Sequence, residues 1–327
     1  MSSEYIGAMI QDSIKKYGNA IAMRYKENDS WHEITYNELG ERIQQVAKAL
    51  LEYDVKEGEM VGVFAQNMPE WSIADFGILS VRGVSVPIYA TNTAKQAEYI
   101  VNDAEIRVLF VGDKAQYEKI TSFIDSSKYL KKIIVFDGNV QLKGNHSVSF
   151  KDFLELGKKS AKDSIVADRT SRGSVDDIAT LIYTSGTTGN PKGVMLSHRN
   201  IVWTGQSLRE TFPFPETAGV KVMSYLPMAH IAERMTSHYA SVIMAYEVIC
   251  CPEFSELTTY IGAVHPQLMF GVPRVWEKVH SGITAALSAD PEKEQKVAEA
   301  VEAALPIMAK MDAGTATEDE IATWNFL

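Results

Sequence analysis

Apolar and polar positions along this 327-residue chain switch repeatedly between two periods. Residues 34–53, ITYNELGERIQQVAKALLEY, put Leu39, Ile43, Val46, Ala47 and Leu50 on one face at helical spacing. Thr35 and Glu38 stand three apart at its start, the spacing of a capping box, so a long amphipathic helix is predicted there. MVGVFAQ (60–66) follows as a short apolar run suited to a buried strand. PEWSIADFGILSVRG (69–83) returns to helical character, with Pro69 in its first turn and Gly83 near its stop. SVPIY, RVLFVG and KKIIVFDG predict further strands, and AKQAEYIVNDA and KAQYEKITSFIDSS predict the helices between them.

Strands and helices that alternate in this way predict an α/β fold. Repeated β-α-β units should form parallel-rich sheets with helices on both faces. The polar, glycine-containing stretch 138–149 reads as a surface loop. Alternation resumes near Asp176, with IATLIYT and KVMSYLP as strands and HRNIVWTGQSLRETF as a helix. The chain thus divides into subregions of about 1–170 and 171–290, followed by a helical stretch of about 291–327 rich in Ala, Glu and Lys. It ends on Asn325, Phe326 and Leu327, an apolar helical turn, which predicts that the parent protein continues.

A formal net charge of −10 argues against a nucleic-acid-binding surface. The two cysteines, Cys250 and Cys251, are neighbours whose side chains point to opposite faces of a strand, so they are expected unpaired and packed as small hydrophobes. The first residues lack a basic segment followed by an apolar one, so no secretory signal is read there. ASVIMAYEVICC (240–251) is too short to span a membrane and carries Glu247. A cytoplasmic protein is expected, with peripheral membrane contact left open.

The stretch with the clearest chemistry is YTSGTTGNPKGVMLSH (183–198), placed between a predicted strand and a predicted helix. From Thr184 to Pro191 every side chain is small, hydroxylic, Gly, Asn or Pro, so the loop cannot pack a core. Gly186, Gly189 and Gly193 let backbone approach a ligand, Ser185, Thr187 and Thr188 add hydroxyls, and Lys192 adds a cation. Such a set makes a cradle for phosphate oxygens. The Walker loop is excluded, because Pro191 stands where its second Gly would fall.

TSGTTGNPKGV resembles the signature loop of the adenylate-forming superfamily, which includes acyl-CoA ligases, luciferase and peptide-synthetase adenylation domains. SYLPMAHIAERM (224–235), GVPRVWEKV (271–279), SVPIYATNT (85–93) and the helical tail after Ala285 resemble segments of its long-chain fatty-acid–CoA ligase subgroup. The resemblance implies an incomplete N-terminal, AMP-binding domain of the adenylate-forming fold. It implies ATP, Mg2+ and CoA as participants and a long-chain fatty acid as the activated substrate. Thr184, Ser185, Gly186, Thr187, Thr188, Gly189 and Lys192 would grip the ATP phosphates, with Thr184 also at magnesium and Thr184 and Lys192 as the catalytic pair. His230 and Arg274 would line the acyl pocket, and Trp276 is expected in the core. Glu233 and Arg234 are expected to make structural ion pairs with neighbours. The order H-x-x-E at His230 and Glu233 does not match a zinc-protease site. An aryl- or medium-chain acyl-CoA ligase and a non-catalytic nucleotide-binding fragment remain as alternatives. The family's Tyr-Gly-x-Thr-Glu and Thr-Gly-Asp segments, its hinge and its C-terminal domain with the catalytic Lys are not found in these 327 residues, so the fragment alone is expected to be inactive.

Overall fold

A computed structural model describes residues 5–184, 190–211 and 217–326. The chain forms two compact units, Met1–Phe270 and Gly271–Leu327. The first opens with α1 (Ile6–Tyr17), the hairpin strands β1 (Ile21–Glu27) and β2 (Ser30–Thr35), and α2 (Tyr36–Glu52). Strands and helices then alternate through β3 (Met60–Phe64), α3 (Pro69–Ser80), β4 (Val84–Ile88), α4 (Ala94–Asp103), β5 (Val108–Val111), α5 (Lys114–Thr121) and β6 (Lys132–Val135). Next come β7 (Ser147–Ser149), α6 (Phe150–Lys159), α7 (Asp163–Ser171), β8 (Ile178–Thr184), β9 (Lys192–Ser197) and α8 (His198–Thr211). The unit closes with β10 (Lys221–Ser224), α9 (Ile231–Glu233), α10 (Tyr239–Met244), β11 (Glu247–Cys250) and α11 (Leu257–Val264).

The cap foreseen at Thr35 and Glu38 is present. The Thr35 side chain accepts from the Glu38 amide at 3.3 Å while the Glu38 carboxylate accepts from the Thr35 amide at 2.8 Å. Thr93 with Gln96 and Asp113 with Gln116 repeat this reciprocal bonding at α4 and α5.

Seven strands form one sheet in the order β7-β6-β5-β3-β4-β8-β9. All its pairs are parallel except β8 with β9. Alternate residues of the central strands enter different cores. Val108 and Phe110 face the cluster that holds α2, α3 and α6, whereas Leu109 and Val111 face the cluster of α4 and α5. Burial on both faces is why these strands read as continuous apolar runs. The second sheet has the order β10-β11-β1-β2 and shares the first of these cores through Met23, Val222 and Val248.

The expected subregion boundary near residue 170 cuts through this arrangement: β8 and β9 complete the sheet begun by β3, and β10 and β11 join β1 and β2. Two antiparallel hairpins also depart from a purely β-α-β pattern. β1 and β2 turn through Asn28 and Asp29, both at positive φ (48° and 62°), values that suit a tight hairpin turn and that Asn and Asp tolerate. The polar stretch 138–149 carries the short strand β7 at its end, paired with β6. Cys250 and Cys251 are buried and unbridged, and burial pushes the Cys251 thiol up to about 12. Among the described residues no helix is long and apolar enough to cross a membrane.

The second unit contains α12 (Pro273–Ser288), α13 (Pro291–Asp312) and α14 (Glu318–Phe326), so helical character starts earlier than position 291. The Asp290 side chain caps α13, and Lys310 pairs with Glu320 between α13 and α14. Trp276 is 47% exposed rather than a core residue, and its indole Nε1 donates to the Gly271 carbonyl at 2.9 Å.

α6 packs on α2 at Gly157, where a Cβ would lie 1.9 Å from the Gln45 carbonyl oxygen. Gly157→Ala should therefore lower unfolding free energy by about 1–3 kcal/mol through overpacking. Gly138→Ala, whose Cβ would meet nothing within 4 Å, should leave it unchanged. Urea unfolding followed by circular dichroism separates the two; equal effects would remove the packing explanation.

Candidate active site

The strands on either side of the polar loop pair as an antiparallel hairpin. VMLS, expected to lead straight into a helix, extends β9 antiparallel to β8, and α8 begins only at His198. Ser185, Gly186, Thr187, Thr188 and Gly189 lie outside the described residues, but both stems are in view. Thr184 and Lys192 are direct cross-strand partners. Residues opposite one another in an antiparallel pair project to the same face, so the exposed hydroxyl and the exposed ammonium stand side by side at the loop's mouth.

Neighbouring aromatics hold this stem against α4. Tyr183 points to the face opposite Thr184, and its hydroxyl donates to Asp103 Oδ2 at 2.7 Å. The Tyr99 hydroxyl donates to the Pro191 carbonyl at 3.0 Å, and the Tyr99 and Tyr183 rings meet edge to face at 6.4 Å. A cavity of about 450 Å³ opens beside the stem, between Tyr89 and Asn92 on one side, Tyr183, Thr184 and Pro191 on another, and His230. It lies off the carboxyl ends of β4 and β8, where open α/β sheets bind ligands. Tyr89 and Asn92 belong to the SVPIYATNT segment and escaped individual notice. The capping spacing of Thr93 and Gln96 marks where that strand's loop stops and α4 starts.

His230 caps α9: its Nδ1 accepts from the Ala232 amide at 3.1 Å, which in the neutral ring leaves the proton on Nε2. Glu233, three residues on, is buried and turned away from it. Its carboxylate accepts from the Leu226 amide at 3.1 Å and from the Ser237 hydroxyl at 2.6 Å, stitching the turn before His230 to the helix after it. Burial pushes the Glu233 carboxyl up to about 7. Arg274 belongs to the second unit, where its exposed guanidinium pairs with Glu277 at 3.1 Å.

Arg234 is fully buried and pairs with Asp75 of α3 at 2.7 Å. It also donates to the Thr180 hydroxyl at 2.6 Å and to the Tyr239 hydroxyl, and its guanidinium lies over the Trp71 and Tyr239 rings. The other Asp75 oxygen accepts from His238 Nε2 at 2.8 Å, and His238 Nδ1 meets the Ser72 hydroxyl at 3.1 Å. Burial works against an ionised Asp75, but the Arg234 charge and the His238 hydrogen bond outweigh it and hold the carboxyl down at about 2. The structural ion pair expected for Arg234 thus exists, with a partner 159 positions away that no local spacing marks. A π turn at Arg234–His238 makes the arrangement possible. Its wider i→i+5 step brings Arg234 and Tyr239 together, which a regular helix would splay.

Among the described residues no group of three or more His, Cys, Asp or Glu is placed to hold a metal ion. Thr184 offers one exposed oxygen at the strand end, enough to share a magnesium ion with phosphate oxygens but not to build a site by itself.

Comparison with known proteins identifies the family of the chain. Residues 10–323 match the AMP-binding enzyme family, and the chain belongs to it. Its homologues include long-chain-fatty-acid–CoA ligases. It is 34% identical over 287 residues to ACSBG2 of Xenopus laevis, covering 86% of this chain and 38% of that protein. To human ACSBG2 it is 32% identical over 278 residues, covering 84% of this chain and 41% of that protein. The chain therefore spans about two fifths of the length of these relatives. The fold matches a long-chain-fatty-acid–CoA ligase (FadD1) from Archaeoglobus fulgidus with a TM-score of 0.71 at 22% identity, covering 86% of this chain and 54% of that one. It also matches the anthranilate CoA ligase AuaEII, solved with anthranoyl-AMP, with a TM-score of 0.71 at 21% identity, covering 83% and 50%. The adenylate-forming N-terminal architecture expected from the signature loop is the one observed.

Glu233 carries a pH signature. Its carboxyl titrates near 7 when folded and near 4.5 when free, so the folded state holds a proton that the unfolded state releases between those values. Its contribution is most favourable below pH 4.5 and is lost as pH rises through 7. Glu233→Gln should therefore stabilise the chain by about 1–3 kcal/mol at pH 8, with the gain shrinking toward zero near pH 5. Calorimetric melting at the two pH values checks this; a gain independent of pH would refute the assignment.

Proposed function

We propose that this chain forms the ATP-phosphate and acyl-binding part of a ligase that activates long-chain fatty acids. The observation that carries this reading is the pairing of Thr184 with Lys192 at the loop's mouth, beside a cavity that His230 also lines. In the reaction a carboxylate oxygen of the fatty acid attacks the α-phosphorus of ATP, and the bond to pyrophosphate breaks. The thiolate of CoA then attacks the acyl carbon, and AMP leaves. Lys192 would offset charge gathering on the departing pyrophosphate, and the Thr184 hydroxyl would hydrogen-bond its oxygens. Magnesium, when bound, would share that charge, with Thr184 the described residue best placed to reach it. His230, with its Nε2 proton outward, suits the carboxylate end of the acyl substrate.

A second cavity, of about 390 Å³, supports an aliphatic tail. Leu208, Ala240, Met244, Leu268, Met269 and Phe270 contribute to its lining, and it flanks the same helical stretch that His230 opens. With Thr236 and Tyr246 as its polar-tipped members, this lining favours a hydrocarbon chain over a polar aryl acid.

In equilibrium dialysis with magnesium and labelled ATP, Thr184→Ala together with Lys192→Ala should weaken binding about tenfold or more while far-UV circular dichroism stays unchanged. Undiminished binding by the folded double variant would take the hairpin out of the nucleotide site. The 327 residues also lack the family's Tyr-Gly-x-Thr-Glu and Thr-Gly-Asp segments, so the purified chain should form no palmitoyl-CoA from ATP, magnesium, palmitate and CoA. Product above a heat-killed control, from material free of host ligase, would show that these residues suffice.

A further inference from the structure

Thr180 and Thr184 share a face of β8, two strand repeats apart. Arg234 and His230 lie one helical turn apart in the segment that begins at α9. The hydrogen bond from Arg234 to the Thr180 hydroxyl, at 2.6 Å, therefore joins the strand that ends in Thr184 to the helix that His230 caps. Those are two walls of the candidate cavity. The Thr180 hydroxyl in turn donates to the Ser85 carbonyl of β4, at 2.6 Å, so the link reaches the strand that leads to Tyr89.

A buried ion pair is a poor device for stability alone, because desolvation of both charges offsets their attraction. What a guanidinium offers that an apolar side chain lacks is direction: donors in a rigid plane, each demanding a partner at a fixed place. Asp75 and Tyr239 anchor one side of that plane and Thr180 takes the other. Nε has no hydrogen-bond partner among the described residues, so the cluster is not saturated for its own sake.

We propose that Thr180 and Arg234 are positioning residues, whose hydrogen bond, anchored by Asp75, sets the separation of Thr184 and His230 across the cavity. The consequence for ATP rests on the function proposed above; the mechanical link does not. Neither residue touches the reacting groups. Both act through the strand and the helix they join.

The test compares Thr180→Val, which removes the hydroxyl and keeps the shape, with Thr180→Ser, which restores it. Tyr239→Phe is the control, since it removes another hydroxyl from the same guanidinium without touching either wall. Hydrogen exchange of the ligand-free chain should rise about fivefold or more in both residues 178–184 and residues 225–233 for Thr180→Val, and return to the native rate for Thr180→Ser. Tyr239→Phe should lower the melting temperature without that paired change. The dissociation constant for magnesium–ATP should rise about fivefold in folded Thr180→Val and not in Tyr239→Phe. Should Thr180→Val fail to fold, Thr180→Ala is measured in its place. Unchanged exchange at either wall, or the same paired rise in Tyr239→Phe, would reduce the bond to a source of stability and overturn the proposal. If the native chain binds no magnesium–ATP, the nucleotide reading fails, and the exchange measurements still decide the link.

Discussion

A guanidinium with no exposed surface constrains everything around it. The donors of Arg234 need partners once water is removed, so the chain brings a carboxylate, hydroxyl acceptors and aromatic faces to one buried point. Those groups come from distant parts of the first unit: Trp71 and Asp75 from α3, Thr180 from β8, Tyr239 from α10. Meeting the demand fixes how α3, the seven-stranded sheet and the His230 segment lie against one another. The π turn is the local cost of that agreement, since a regular helix would not present Arg234, His238 and Tyr239 to the same carboxylate.

The sheet supplies the other half of the geometry. Its central strands are buried on both faces, by α2, α3 and α6 on one side and α4 and α5 on the other, which leaves their carboxyl ends as the place for polar side chains. Tyr89, Asn92 and Thr184 all emerge at such ends. The antiparallel turn of β9 along β8 brings Lys192 back to Thr184, which a direct strand-to-helix passage would have carried away. Tyr99 and Tyr183 then brace that hairpin on α4. The Thr184–Lys192 pair and the imidazole of His230 thus stand on separate elements that share one buried support.

Much of this was legible before any coordinates. α2 with its Thr35–Glu38 cap, α3 with Pro69 in its first turn, and the apolar strands β3, β5 and β6 follow from period and local capping chemistry, which act within a few residues. The composition of Thr184–Pro191 marked a stretch that cannot pack a core, and both of its stems, Thr184 and Lys192, are exposed. The order of motifs pointed to the family to which the chain belongs.

What the residues alone determined, then, was the kind of each long element, the polar loop and the chemistry that loop can offer, since these rest on spacing, capping and composition within a short span of chain. Tertiary structure alone decided the rest. KGVMLS pairs as a strand because β8 lies alongside it, not because of its own pattern. Arg234 takes Asp75 as its counter-ion, and Glu233 keeps its proton near neutrality, because folding removes water from both. Trp276 stands half exposed although its type favours burial. Each of these depends on what lies across space from the residue, and partners separated by 159 positions leave no mark on the intervals a sequence can show.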